Sequence, residues 1–153
     1  MPETGVRLHS AGFVNGAHVL AVRVYYEDTD AAGVVYHASF LRFADRARTE
    51  MLRDLGATGV APMANEGLGF VVRHCSADFL KPGRLNDLLE VHSRFLEVGG
   101  ASVTAAQTVK WDGADLVCMQ LTLVCTTPAG RPARLPPELW TLLRDAGAQT
   151  VRD

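Results

Sequence analysis

Residues 22–40 read VRVYYEDTDAAGVVYHASF, a stretch that starts like a strand and ends like the beginning of a helix. Apolar and other side chains alternate over residues 20–26, which is the period of a half-buried strand. Acidic residues crowd positions 27–30, and the small residues at 31–33 allow the backbone to turn or to approach another group closely. A helix is predicted to begin at His37 or Ala38, so a carboxylate loop directly precedes a helix N-terminus.

The acidic loop offers the chemistry of acyl hydrolysis. Glu27, Asp28 and Asp30 lie within four positions, and like charges this close resist joint ionisation. The first N–H groups of a helix have no partner within the helix. A base next to such an anion-stabilising group is what hydrolysis of an acyl compound requires. An alternative is that Asp28 or Asp30 only closes a turn, as Asp often does, and that His37 is a surface residue.

One long helix follows the loop. Ala38 to Leu55 carries apolar residues at helical spacing, and Gly56 is placed to end the helix as the residue after its C-cap. The apolar stripe, which is a core stripe first, consists of Phe40, Phe43, Ala44, Ala47, Met51 and Leu55. The charged residues Arg42, Asp45, Arg46, Arg48, Arg53 and Asp54 are assigned to the rest of the helix surface.

After residue 67 the hydrophobic period changes from helical to two, which indicates strands. Strands are predicted at Leu68–Leu80, Leu88–Val98, Ser102–Trp111 and Leu116–Thr127. Gly99-Gly100 and Asp112-Gly113 are hairpin signals, the latter typical of a type I′ turn. Residues 58–66 are read as a short helix or an ordered loop, and Glu138–Ala146 as a terminal helix with Pro137 in its first turn. Residues 1–16 are read as a flexible N-terminal leader. The order predicts an α+β domain with about five antiparallel strands and one amphipathic helix lying on them.

Composition limits the classes of function. The chain has 153 residues, 48% of them apolar and 21% charged, which fits one ordinary globular domain. A net charge of −2 gives no overall attraction to nucleic acid or to an anionic membrane. Cys75, Cys118 and Cys125 form no CxxC pair, so we expect buried thiols in the reducing cytoplasm. The five histidines show no metal-ligand spacing, and we see neither a transmembrane segment nor a signal-peptide pattern.

The run YYEDTDAAGVVYHASF followed by LRFADRARTEMLRDLG resembles the YbgC-type acyl-CoA thioesterases, relatives of 4-hydroxybenzoyl-CoA thioesterase with the hotdog fold. The similarity is dense from Val22 to Leu55 and looser up to Pro136. It implies one hotdog thioesterase domain over residues 17–153, with the sheet wrapped round the long helix. It also implies a homodimer or homotetramer with active sites at the subunit boundary. Acyl-CoA is the implied substrate, no separate cofactor is expected, and some relatives contact an acyl carrier protein.

The resemblance assigns roles to individual residues. Asp30 is the implied catalytic carboxylate, either a general base toward water or a nucleophile that forms an acyl anhydride; the sequence leaves both open. Backbone N–H groups near Tyr36 and His37 would stabilise the developing charge on the thioester oxygen. The His37 side chain would position water or polarise the carbonyl, and Tyr26 would line the acyl site or orient Asp30. Further substrate contacts are assigned to Val35, Tyr36 and Ala38.

Other residues carry weaker hypotheses. Lys81 and Arg84 flank a predicted turn and are candidates for the phosphates of coenzyme A, although basic turn residues are often only solvated. Glu50 is an alternative catalytic carboxylate on the helix, but an ion pair with Arg46 or Arg53 is preferred. Two other functions stay open at this point. One is a hotdog dehydratase or hydratase acting on an acyl thioester, and the other is a non-catalytic acyl-thioester-binding module.

Overall fold

The computed structural model describes residues 11–57, 63 and 65–152, and within them the chain forms a curved sheet with two helices. The strands are β1 (Ala11–Val14), β2 (Ala17–Arg23), β3 (Gly69–Phe79), β4 (Leu88–Val98), β5 (Ser102–Trp111), β6 (Ala114–Thr126) and β7 (Gln149–Thr150). The helices are α1 (His37–Asp54) and α2 (Pro137–Asp145), and a short 3-10 helix spans Tyr26–Asp28. The five long strands and the long helix confirm the α+β prediction.

The order of strands in the sheet places β3 at an edge. It runs β1-β2-β4-β5-β6-β3 with every neighbouring pair antiparallel, while β7 pairs in parallel with the end of β4. Within the described residues β3 is bonded to β6 alone, and most of its residues are exposed. Cys75 lies on this strand and is exposed, and Cys118 is half-buried, so the prediction that all three cysteines are buried holds only for Cys125. Burial raises the pKa of the Cys125 thiol in β6.

Two hairpins use the same turn chemistry. Asp112 and Gly113 both have positive φ, 48° and 79°, which confirms the predicted type I′ turn between β5 and β6. Asn15 and Gly16 have φ of 50° and 80° and join β1 to β2 in the same way. The leader predicted for residues 1–16 is therefore corrected for residues 11–16, which belong to a hairpin; residues 1–10 lie outside the described part. Most of the short helix or loop predicted for residues 58–66 also lies outside it.

Helix α1 packs its apolar stripe on the concave face of the sheet. Phe43, Ala44, Ala47 and Met51 are buried there, and Gly56, with φ of 79°, follows the C-cap as predicted. The contacts form two apolar clusters, one round the start of α1 and one round its end and α2. Full burial of a large apolar side chain contributes on the order of 2 kcal/mol each, so this face provides much of the stability.

A polar row crosses the sheet beneath α1. His18, Ser93 and Gln107 are register partners on β2, β4 and β5, and all three are buried. The Gln107 amide donates to Ser93 Oγ at 2.8 Å and accepts from Arg48 at 2.8 Å. Arg48 is therefore buried, whereas the sequence placed it on the helix surface. Burial lowers the pKa of its guanidinium, and nearby Asp45 acts in the opposite direction.

Candidate active site

Asp28 fixes the acidic loop to the start of α1. Its side chain is buried and accepts hydrogen bonds from the Tyr25 N–H at 2.8 Å and from Arg42 at 3.1 Å. Its backbone carbonyl accepts the Tyr36 N–H at 2.9 Å. The carboxylate of Asp28 is thus used to hold the loop in shape, which is a structural role.

Asp30 has a different environment two residues later. It is exposed, and its Oδ1 accepts the Ala32 N–H at 2.9 Å. Its backbone closes the same turn through the Asp30 N–H to Val34 O at 2.9 Å and the Gly33 N–H to Asp30 O at 3.0 Å. Gly33 has φ of 78°, a conformation that glycine adopts without strain. Asp30 therefore closes a turn, as the alternative reading had it, yet in the described part of the chain its Oδ2 has no hydrogen-bond partner.

The start of α1 leaves two amide groups unbonded. The N-cap residue is Tyr36, and the Ser39 N–H bonds back to its carbonyl at 2.8 Å. The Tyr36 N–H donates to the Asp28 carbonyl and is therefore not available to a substrate. This corrects the prediction that the Tyr36 amide helps to stabilise the thioester oxygen. Among the described residues, the N–H groups of His37 and Ala38 have no acceptor. They are the amide groups at this helix start that a ligand oxygen can reach.

An apolar cavity of about 230 Å³ opens beside this helix start. Its lining consists of Val35, His37, Phe40, Phe79, Leu80, Lys81 and Pro82. The rings of His37 and Phe40 each lie 6.1 Å from the ring of Phe79 on the edge strand. Val35, His37 and Lys81, all predicted site residues, thus meet in one place.

The other predicted site residues do not line this cavity. Tyr26 is 82% exposed, and the Tyr36 ring packs against His37 at a centroid distance of 4.6 Å. The Arg84 side chain is exposed, while its backbone pairs with Val34 and its N–H donates to Asp87 at 2.9 Å. Glu50 forms the preferred ion pair with Arg53. In the described residues no cluster of His, Cys, Asp and Glu suited to a metal is found.

Sequence reasoning missed the second wall of the cavity. Phe79, Leu80 and Pro82 come from the end of β3 and the turn after it. The turn is held to the acidic loop by the Val35 N–H, which donates to Gly83 O at 2.8 Å. Gly83 allows this close approach, because a Cβ there would lie 3.0 Å from the Val35 side chain. The Pro-Gly turn signal was visible, but its contact with the acidic loop depends on tertiary structure.

Comparison with known proteins identifies the family. The thioesterase superfamily model matches residues 32–118, a range that contains His37 and starts just after Asp30. The acyl-CoA thioester hydrolase YbgC of Escherichia coli O6:H1 is 42% identical over 120 residues, covering 77% of this chain and 89% of that protein. The acyl-CoA thioesterase YbgC of Haemophilus influenzae is 49% identical over 86 residues, covering 56% and 63%.

A solved structure gives the same result. The structure described as "Probable Thioesterase from Bartonella henselae" is 36% identical, with a TM-score of 0.73, and covers 78% of this chain and 99% of that chain. The chain belongs to the thioesterase superfamily, and its sheet round a long helix is the hotdog fold. Neither described helix is long and apolar enough to cross a membrane.

Proposed function

We propose that the chain hydrolyses acyl-CoA thioesters at the start of α1, with Asp30 as the reacting carboxylate. The observation that carries the site assignment is the pair of unbonded amides at His37 and Ala38 beside an apolar cavity and the Asp30 turn. A thioester oxygen that accepts these N–H groups becomes more negative as the carbonyl is attacked, and the helix start stabilises that charge. The acyl group then lies in the cavity between Phe40 and Phe79.

Two mechanisms are open for this reaction, and both give the same products. In one, Asp30 takes a proton from water, the hydroxide attacks the carbonyl carbon, the C–S bond breaks, and the proton on Asp30 passes to the leaving CoA thiolate. In the other, Asp30 itself attacks, the thiolate leaves, and water opens the resulting acyl anhydride. Both give a free acid and CoA. The His37 side chain lines the cavity, which supports its assignment to holding water or the carbonyl.

Release of free thiol tests the activity itself. Short, long and aromatic acyl-CoAs are supplied to the protein, and free CoA is measured over time. A thioesterase releases one thiol for each acyl group consumed. A dehydratase or hydratase changes the acyl group without thiol release, and a binding module retains the acyl-CoA intact. Either of those outcomes overturns the proposal.

Lys81 is the basic residue best placed for coenzyme A. It lines the cavity, and Arg84 follows in the same turn, bonded through its backbone to the acidic loop. We assign the two side chains to the phosphates of the substrate. Tyr26 is assigned to the acyl site through a second subunit, since it is 82% exposed in the single chain.

The free edge of β3 supports assembly of the chain into a dimer. Val71 and Val72 are about half exposed, and the outward backbone groups of β3 have no partner strand in the described residues. Antiparallel pairing with β3 of a second copy would cover this edge, and pairing of two such dimers would give a homotetramer. Light scattering should return at least twice the 16.5 kDa of one chain, and a monomer mass at micromolar concentration would contradict this.

Location and protein partners complete the proposal. Cys75, Cys118 and Cys125 are all free thiols, which supports a reducing compartment such as the cytoplasm. An acyl carrier protein presents its acyl group as a thioester too, so the same cavity is suited to it as a second donor. Thiol release from an acylated carrier protein tests this, and no release would remove it from the proposal.

A further inference from the structure

The cavity beside the start of α1 is the acyl cavity of the proposed reaction. A second cavity, of about 420 Å³, lies at the opposite end of the sheet. It is lined by Gly99, Gly100, Arg134, Trp140, Val151 and Arg152. Strand β4 has eleven residues and connects the two ends, so at about 3.3 Å per residue the cavities are roughly 30 Å apart. The catalytic proposal makes no use of this site.

Backbone hydrogen bonds hold the walls of this second cavity in place. The Leu135 N–H donates to Gly100 O at 2.8 Å, which fixes the segment that carries Arg134. The Val151 N–H donates to Val98 O at 2.9 Å, which fixes the segment that carries Arg152. The walls are therefore preformed, and a ligand does not have to order them.

Among the described residues, the positive charge that lines the second cavity has no carboxylate partner. Arg134 and Arg152 both line it, and in the described part of the chain neither has a carboxylate partner. A third guanidinium, Arg144, lies 5.2 Å from the centre of the Trp140 ring and pairs with Asp145 at 3.2 Å. Two cations in one cavity repel each other, and a multivalent anion between them removes that repulsion. A guanidinium also matches a phosphate through two parallel N–H donors.

The indole of Trp140 lines the second cavity, with the Arg144 guanidinium over its ring. Trp140 is anchored on α2, whose neighbouring Leu139 and Leu143 are fully buried, so its position is fixed by the core. Planar rings stack on indole and guanidinium faces. The cavity volume also falls in the range of roughly 300–1,000 Å³ that is usual for small-ligand sites.

We propose that this second cavity binds a phosphate-bearing planar ligand, the chemistry of a nucleotide, at a site separate from the acyl cavity. Arg134 and Arg152 hold the phosphates, and Trp140 stacks on the base. The proposal does not depend on the catalytic assignment, since none of its residues lies in the acyl cavity.

Fluorescence of Trp140 tests the proposal with ADP as the probe. The Trp111→Phe background leaves Trp140 as the only tryptophan, so any saturable change reports this site. ADP should bind at least about tenfold more tightly than adenosine or pyrophosphate, because each of these lacks half of the contacts. No saturation with ADP overturns the proposal. Equal binding of pyrophosphate and ADP overturns the nucleotide assignment and leaves only an anion site.

Two variants locate the binding. Arg134→Glu with Arg152→Glu should weaken ADP binding about tenfold or more, and Arg134→Gln with Arg152→Gln should weaken it less in a chain that unfolds at the wild-type temperature. The control variant Lys81→Glu with Arg84→Glu carries the same charge reversals beside the acyl cavity, at the other end of the sheet. It should leave ADP binding at Trp140 unchanged. Unchanged binding in the Arg134/Arg152 variants would overturn the assignment.

Kinetics show whether the site is separate from the substrate. The variant Arg134→Glu with Arg152→Glu should keep the wild-type KM for acyl-CoA. The variant Asp30→Asn should bind ADP as the wild type does. A KM that rises in step with the loss of ADP binding would mean that the second cavity holds the nucleotide of the substrate, and the proposal of a separate site would be wrong.

Discussion

The two ends of the sheet carry cavities that are built in different ways. At the start of α1, the acidic loop, the helix start and the turn after β3 come from two short segments, and the cavity between them is mostly apolar. At the other end, four separate segments meet after α2 and β7 return to the end of β4, and the cavity is basic. The first arrangement suits an acyl group next to amide donors, and the second suits an anion. The difference shows that the part of a site encoded within one stretch, here the acidic loop and the start of α1, can be predicted from the sequence, while the parts that the fold brings together cannot.

Among the variants at the start of α1, loss of Asp28 should lower the stability of the chain most strongly. Asp28→Ala removes a buried carboxylate that accepts the Tyr25 N–H and Arg42. Hydrogen bonds to a charged group contribute about 2 kcal/mol, so unfolding in urea should occur at lower concentration and thiol release should fall. Asp115→Ala is the control, since Asp115 forms only a partly exposed pair with Lys110 at the same end. Equal loss in both variants would contradict the anchoring role of Asp28.

A change at the contact between the acidic loop and the turn after β3 should lower stability and activity less than loss of Asp28 does. In Gly83→Ala the new Cβ would lie 3.0 Å from Val35, so the loop or the turn must shift by a few tenths of an ångström. We expect a loss of about 1 kcal/mol in stability and a lower kcat/KM because the site is displaced. Gly69→Ala is the control, as its Cβ meets nothing within 4 Å. Activity and stability like the wild type in Gly83→Ala would show that this approach is not tight.

Charge reversal at the two basic residues beside the acyl cavity should have the smallest effect on thiol release. Lys81→Glu with Arg84→Glu should raise KM for acyl-CoA about fivefold, since exposed ion pairs contribute at most about 1 kcal/mol together. The salt dependence of KM should weaken, and kcat should stay nearly unchanged, because the contact is the same in the ground and transition states. A small acyl thioester without the nucleotide is the control substrate. Equal loss with that substrate would show that the two residues support the fold or the chemistry instead.

Local patterns were sufficient for most of the fold. The period of two in β4 and β5, the apolar stripe of α1, Gly56 after its C-cap and the Asp112-Gly113 turn were all predicted and are confirmed. Each depends on residues close in sequence, where spacing and φ preferences decide the structure. The hotdog fold and the thioesterase family came from the long motif between Val22 and Leu55, and both are confirmed.

The features that were missed depend on distant contacts. Arg48 is buried because Gln107, 59 positions away, accepts its hydrogen bond. Cys75 is exposed because β3 lies at the edge of the sheet, which its own alternation cannot reveal. Strand β7 has two exposed residues and is defined by backbone pairing with β4, so its side chains carry no signal. The hairpin at Asn15-Gly16 differs from these features, because its Asn-Gly turn signal is local and can be read from the sequence.

The most direct test of the account is thiol release by Asp30→Asn beside the matched variant Glu27→Gln. Asp30 has a carboxylate oxygen that is unbonded within the described residues, in the loop that precedes α1, and Glu27 is an exposed carboxylate in the same loop. Asp30→Asn keeps the shape of the side chain and removes the base, so the rate should fall about 100-fold or more while the unfolding temperature is kept. Glu27→Gln should release thiol at close to the wild-type rate. A folded Asp30→Asn protein with the wild-type rate would contradict the assignment, and Glu50→Gln would then be the next carboxylate to test.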